Sequence, residues 1–212
     1  MKRHPDTALI VTDLQKDFMP GGPLGVDGAD ELIPLVNGLM PHYHCVVLLQ
    51  DWHPSDHGSF AKHHGKQPGE QTKLMGVDQI LWPTHCIAGT EGADFHPKLE
   101  TRRSSAILRK GTDPQVDSYS GFFDNAKQRS TGLAGYLREL EVNRITIVGV
   151  ATDFCVKATA LDGIELGFNT TVIVDATRGV NLEGGDASKA LDEVRQAGGH
   201  LVHLEDAEAL AV

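Results

Sequence analysis

The chain has 212 residues, a net charge of −10, and hydrophobic and charged fractions of 40% and 23%, the make-up of a globular domain large enough to bury a sizeable core. The acidic balance argues against a nucleic-acid partner and against an anionic membrane surface, both of which need clustered Lys and Arg. Three cysteines, Cys45, Cys86 and Cys155, are too few and too unevenly set for a disulfide framework.

At the N-terminus two basic residues precede an apolar stretch, but the run from Ala8 to Val11 is too short for a leader, and Asp13 and Asp17 follow at once. Nothing approaches the ~18 apolar residues of a membrane span. The expectation is a cytoplasmic protein with a single domain over residues 1–212.

In chain order, residues 8–13 (ALIVTD) are continuously apolar up to an aspartate, the pattern of a strand buried on both faces. Residues 29–40 place Leu32, Leu35, Val36 and Leu39 at helical spacing. A second strand run covers residues 45–51 (CVVLLQD). Residues 52–103 break the rhythm: they are rich in His, Gly and Pro with little periodicity, and a loop this long in a compact domain is usually functional. Strand runs resume at residues 105–110, 145–150, 171–176 and 200–204, with helical patterns at 133–140, 155–166 and 187–197. This alternation predicts a three-layer α/β/α fold of Rossmann type, with a mainly parallel six-stranded sheet between helices.

Ligands of such sheets bind beyond the carboxyl ends of the strands. Those ends carry Asp13, Asp51 with His53, Lys110, and Val150-Ala151 followed by Cys155; the later ends carry Asp175 and His203. A carboxylate, a lysine and a thiol on one rim form a nucleophilic constellation. Cys155 follows a strand and a short turn and is expected to open a helix, where free N–H groups and the helix dipole favour a thiolate. Cys45, inside an apolar strand, and Cys86 read as packing residues.

Asp51-Trp52-His53 points to metal. Period-two geometry sends Asp51 and His53 to the same side of an extended chain. A third ligand must come from elsewhere, and His57, His63, His64 and His85 are the candidates. His85 lies in a rigid-looking turn, LWPTHC, whereas His63 and His64 sit among Lys and Gly and read as solvated. Two histidines and one carboxylate leave coordination positions open, the catalytic rather than the structural pattern. The set suits one divalent ion: Zn first, with Fe or Mn also fitting.

Five stretches, TDLQKDF, LQDWHPSDHGSF, LWPTHCIAGTEGADFHP, LRKGTDPQVDSYSGF and GVATDFCVKATALD, together resemble the nicotinamidase branch of the isochorismatase-like cysteine hydrolases, in the family's order over residues 8–175. The resemblance implies that Asp13, Lys110 and Cys155 form a catalytic triad and that Asp51, His53 and His85 hold the metal, with His57 a further histidine near it in some members. It implies a cis peptide at Val150-Ala151, an oxyanion hole from the Ala151 and Cys155 N–H groups, and a ring pocket with Phe18, Trp82, Tyr119, Val150 and Ala151. The implied activity is hydrolysis of nicotinamide to nicotinate and ammonia through a cysteine thioester, a step of NAD salvage, with pyrazinamide as a further substrate. A homo-oligomer stays open. The alternatives are a related hydrolase acting on isochorismate or a carbamoyl-type amide, and a non-catalytic metal-binding protein on the same fold.

Overall fold

The structure is a computed structural model and describes residues 4–206; the ends of the domain expected over 1–212 lie outside the described residues. Among these are eight strands: β1 (Thr7–Thr12), β2 (Cys45–Asp51), β3 (Gln71–Leu74), β4 (Val77–Ile80), β5 (Ala106–Lys110), β6 (Arg144–Val150), β7 (Asn169–Arg178) and β8 (His200–Val202). Six of them form one sheet in the order β5-β2-β1-β6-β7-β8, and every neighbouring pair in it is parallel. Four α-helices connect and cover it: α1 (Leu32–Leu39), α2 (Leu133–Glu139), α3 (Lys157–Glu165) and α4 (Asp186–Gln196).

The continuous apolar runs explain the layering. All residues of β1 and β2 are buried, and alternate residues feed opposite layers. Leu9, Val11, Val46 and Leu48 pack with Leu32 and Val36 of α1. Ala8, Ile10, Val47 and Leu49 pack on the other face with Leu133 and Leu137 of α2 and Ala160 of α3. Each fully buried Val, Leu or Ile among these contributes about 1.5–3 kcal/mol, which makes both faces of the central strands a large source of stability.

Two expectations differ from what is seen. Residues 52–103 contain an antiparallel hairpin, β3 with β4, closed by Met75 and Gly76 with φ of 48° and 81°, the left-handed pair that a two-residue hairpin turn needs. The helix expected from Cys155 begins instead as a π-helical turn, Thr152–Val156, and continues as α3.

The strand order also places the site. From β1 the chain builds outward to β2 and β5 on one side, then returns to lay β6, β7 and β8 on the other. The crevice at this reversal lies beyond the carboxyl ends of β1 and β6.

Candidate active site and metal centre

Asp13 is the first residue past β1. It turns sharply, with φ of 52°, and is fully buried. Lys110 ends β5, and Cys155 sits in the π turn after β6. The Lys110 ammonium joins them: its Nζ lies 2.9 Å from Asp13 Oδ2, donates to Asp51 Oδ1 and to the Ser118 carbonyl at 3.1 Å, and reaches Cys155 Sγ at 3.4 Å. One oxygen each of Asp13 and Asp51 and the Cys155 sulfur lie within 4.8 Å of one another. Asp13 Oδ1 is buried without a hydrogen-bond partner.

These contacts set the protonation states. Burial raises the Asp13 carboxyl; the Lys110 ammonium opposes this, the Asp51 charge adds to it, and the result is about 6. Burial alone would lower the Lys110 ammonium, but the two carboxylates outweigh it and hold the lysine well above its ordinary value. Burial pushes the Cys155 thiol well up; Lys110 draws it back, and Asp13 and Asp51 push it further. The thiolate expected from a helix N-terminus is therefore not the resting form. The thiol is protonated, and a base near pKa 6 stands beside it.

The second cluster shares Asp51. Its Oδ2 faces His53 Nε2 at 3.6 Å and His85 Nε2 at 3.9 Å. Both rings are oriented through their other nitrogen: His53 Nδ1 bonds the Gly111 carbonyl and His85 Nδ1 the Pro83 carbonyl, each at 2.8 Å. Such second contacts are what leave Nε2 free for a metal. Zinc bonds of about 2.0–2.1 Å at tetrahedral angles separate ligand atoms by roughly 3.4 Å, so this donor set fits a divalent ion. Burial, aided by the neighbouring His53, lowers His85 to about 4, which keeps it neutral as a ligand must be. His53 is also lowered by burial, but Asp51 reverses this and raises it, so a metal there competes with a proton. Gly111 has φ of 64°, and a Cβ on it would lie 2.3 Å from the His53 ring; no other residue leaves room for this ligand.

His57 is fully buried, with its ring 4.3 Å from that of His53 and Nε2 unpartnered. It groups with His53 and Asp117 rather than with Asp51 and His85. His63 and His64 are exposed, and Cys45 and Cys86 are buried. Asp175 and His203 pair with each other at 3.0 Å, partly exposed.

Beside Cys155 opens a narrow cleft. Of the expected pocket residues it brings together Phe18, Trp82, Tyr119 and Ala151, next to Asp51 and His85. Val150 is absent from this wall; it packs in the core with Val148 and Ile173. The Val150-Ala151 peptide is cis. Sequence reasoning missed Leu24, Asp117, Phe154 and Val180, which complete the lining. It also missed Gln15, whose side-chain amide takes the Asp51 N–H and gives to the Asp51 carbonyl, both at 2.8 Å. Beyond the end of β1, this side chain continues the sheet pairing on β2. The DLQKDF stretch was visible, but only the geometry reveals the role of its glutamine.

The Isochorismatase domain model matches residues 7–206. This chain belongs to the isochorismatase family. Within it, the chain is 42% identical over 208 residues to the nicotinamidase of Escherichia coli, covering 96% of this chain and 98% of that one. The solved Acinetobacter baumannii nicotinamidase/pyrazinamidase is 45% identical with a TM-score of 0.93, over 97% of this chain and 99% of that one. A Pyrococcus horikoshii pyrazinamidase solved in complex with zinc is 37% identical with a TM-score of 0.78, over 94% and 100%. Among the described residues of this family member, no helix is long and apolar enough to cross a membrane.

Proposed function

We propose that the chain is a metal-dependent cysteine amidohydrolase that converts nicotinamide to nicotinate and ammonia and also accepts pyrazinamide. The observation that carries this reading is the shared Asp51: one carboxylate touches the Lys110–Cys155 cluster through Oδ1 and the two histidines through Oδ2. A nucleophile and a metal centre are thus held at a fixed distance along one cleft.

In this reading Asp13 is the general base. Its pKa near 6 leaves it ionised at neutral pH yet able to keep a proton briefly. It takes the thiol proton as Cys155 Sγ attacks the carboxamide carbon. Lys110 stabilises the forming thiolate from 3.4 Å. The N–H groups of Ala151 and Cys155 hold the oxyanion. Asp13 then returns the proton to the departing ammonia, and the acyl group remains on sulfur as a thioester. Asp13 next deprotonates a water that attacks the thioester carbon. The C–S bond breaks, Asp13 passes the proton to the Cys155 sulfur to restore the thiol, and the acid leaves and ionises to nicotinate. Asp51, His53 and His85 would hold a divalent ion, which when bound would supply a Lewis-acid anchor for the substrate ring, a template role. Zn suits this set best, with Fe or Mn also compatible; His57, its ring 4.3 Å from that of His53, is the further histidine near the site.

Phe18, Trp82 and Tyr119 sandwich the ring, and Val150 supports the wall from the core. The reading takes residues 1–212 as one domain of a cytoplasmic enzyme that acts on a small molecule and needs neither nucleic acid nor membrane. Its test is ammonia release from nicotinamide by purified protein, with metal analysis of the same sample. Stoichiometric ammonia and nicotinate support it; metal-replete protein that releases neither rules it out.

A further inference from the structure

The turn that carries Cys155 also carries a second acid, Asp153, which the mechanism above does not use. It is buried, with 5% of its surface exposed. Its two oxygens accept hydrogen bonds from consecutive backbone N–H groups, Oδ1 from Val180 at 2.9 Å and Oδ2 from Asn181 at 2.7 Å. Hydrogen bonds to an ionised acceptor are roughly twice as strong as neutral ones. Here they span 27 and 28 residues of sequence.

The segment so held lies between β7 and α4. Val180 lines the cleft beside Ala151, Phe154 and Cys155. Asn181 adopts φ of 52°, which asparagine tolerates better than most residues, and its Oδ1 accepts the Ala187 N–H at 3.0 Å. A Cβ on Gly179 would lie 2.7 Å from the Ala187 Cβ and 3.3 Å from Asp153 Oδ1, so the segment is pressed close against both. One face of the cleft is therefore a loop with no place in the sheet, fixed to the nucleophile's own turn by one carboxylate.

We infer that Asp153 is a positioning residue: it clamps Val180 against the substrate ring and so sets substrate affinity, while Cys155 sets the chemistry. The inference rests on the amidohydrolase reading above. A residue needed only for folding would change stability and turnover alike. A clamp acting through Val180 loses its effect once the Val180 side chain is gone.

The test is a double-mutant cycle on the metal-loaded full-length protein, comparing wild type, Asp153→Asn, Val180→Ala and the double variant with nicotinamide. Asp153→Asn keeps the shape but turns an amide N–H toward one of the two loop N–H groups. It should raise KM about tenfold and leave kcat within about threefold, the signature of lost binding rather than lost chemistry. In the Val180→Ala background the same change should raise KM less than about twofold, because coupled neighbours are non-additive. Equal effects in both backgrounds, or a fall in kcat with KM unchanged, would overturn the inference. Hydrogen exchange on the wild type serves if Asp153→Asn does not fold. The Val180 and Asn181 amides should exchange at least about tenfold more slowly than that of Leu182, since clamped donors resist local opening; equal rates would overturn the clamp. Failure of the hydrolase reading would instead show as no turnover in any variant, with the exchange pattern intact.

Discussion

Replacing Lys110 with methionine should damage stability and catalysis together, by different routes. The lysine is 2% exposed and is the cation set between the Asp13 and Asp51 carboxylates. Methionine fills most of the volume but leaves two buried acids without their cation, so that one must take up a proton to stay beside the other. Removing one partner of a buried ion pair costs about 3–5 kcal/mol, and in a domain of this size each kcal/mol lowers Tm by roughly 2–4 °C, so a drop of roughly 6–20 °C is expected. Catalysis fails because Asp13 keeps both influences that raise its pKa, burial and Asp51, and loses the one large influence that lowers it. It then holds its proton at neutral pH and cannot accept another. Loss of a general base costs typically 10²–10⁴, so kcat/KM should fall by about a thousandfold. Thermal melts by circular dichroism and ammonia release from nicotinamide measure the two effects. Adding Asp13→Asn to Lys110→Met puts a neutral amide of the same shape where the acid had to take up a proton to stay buried beside Asp51, so the double variant should regain part of the lost Tm and none of the activity. A Lys110→Met protein that melts within about 2 °C of wild type would refute the electrostatic argument, since that is under the loss expected for 1 kcal/mol.

The acid limb of kcat/KM for nicotinamide should follow Asp13: the base works deprotonated, so activity falls as pH drops through about 6, and a pH profile flat down to 4.5, well below that value, would remove Asp13 from the role. His85→Ala should release metal on dialysis while Cys155 still reacts with iodoacetamide, as metal analysis and peptide mapping will show; retained metal would dismiss His85 as a ligand. Benzamide, which lacks the ring nitrogen, should lose on the order of a hundredfold in kcat/KM against nicotinamide, whereas pyrazinamide should be hydrolysed. Picolinamide, with nitrogen ortho, should be poor because its carbonyl is misaligned with Cys155. Equal rates for benzamide and nicotinamide would mean that the metal does not anchor the ring.

The central strands β1, β2 and β6 were legible because both faces of the sheet are covered there, so each is a nearly unbroken apolar run with few competing readings; the edge strand β5 alternates half-buried and exposed residues and was carried by its short AIL run. The ends of β1 and β2 were legible for the same reason, since Asp13 and Asp51 close such runs; Lys110 was marked only by its place between the short AIL run and Gly111. The hairpin at Gln71–Leu74 and Val77–Ile80 was not. Its strands are half-buried or exposed apart from Gln79 and carry Gln, Thr, Lys and Asp, so no apolar run marks them; the available signal was the Met75-Gly76 turn. The start of the Cys155 helix was misjudged because a π turn has no residue signature distinct from an α turn. The sign of the Cys155 shift was misjudged for a different reason: a helix N-terminus was weighed without the burial of the thiol, and then without the two carboxylates that folding brings beside it. Asp117, Phe154 and Val180 come from loops and turns, where spacing along the chain says nothing about which side chains meet across a cleft.

The central claim is that the Cys155 thiol cleaves the amide of nicotinamide. It is tested most directly by measuring ammonia and nicotinate released by the metal-loaded wild type and by metal-loaded Cys155→Ala, with metal content determined for both. The wild type should release the two products in equal amounts. The variant should bind the same metal, because the sulfur is not a ligand, and should lose at least about a thousandfold in kcat, as expected when a covalent nucleophile is removed. A Cys155→Ala protein that keeps more than about a tenth of wild-type kcat would contradict the thioester route and move the nucleophile to a metal-bound water.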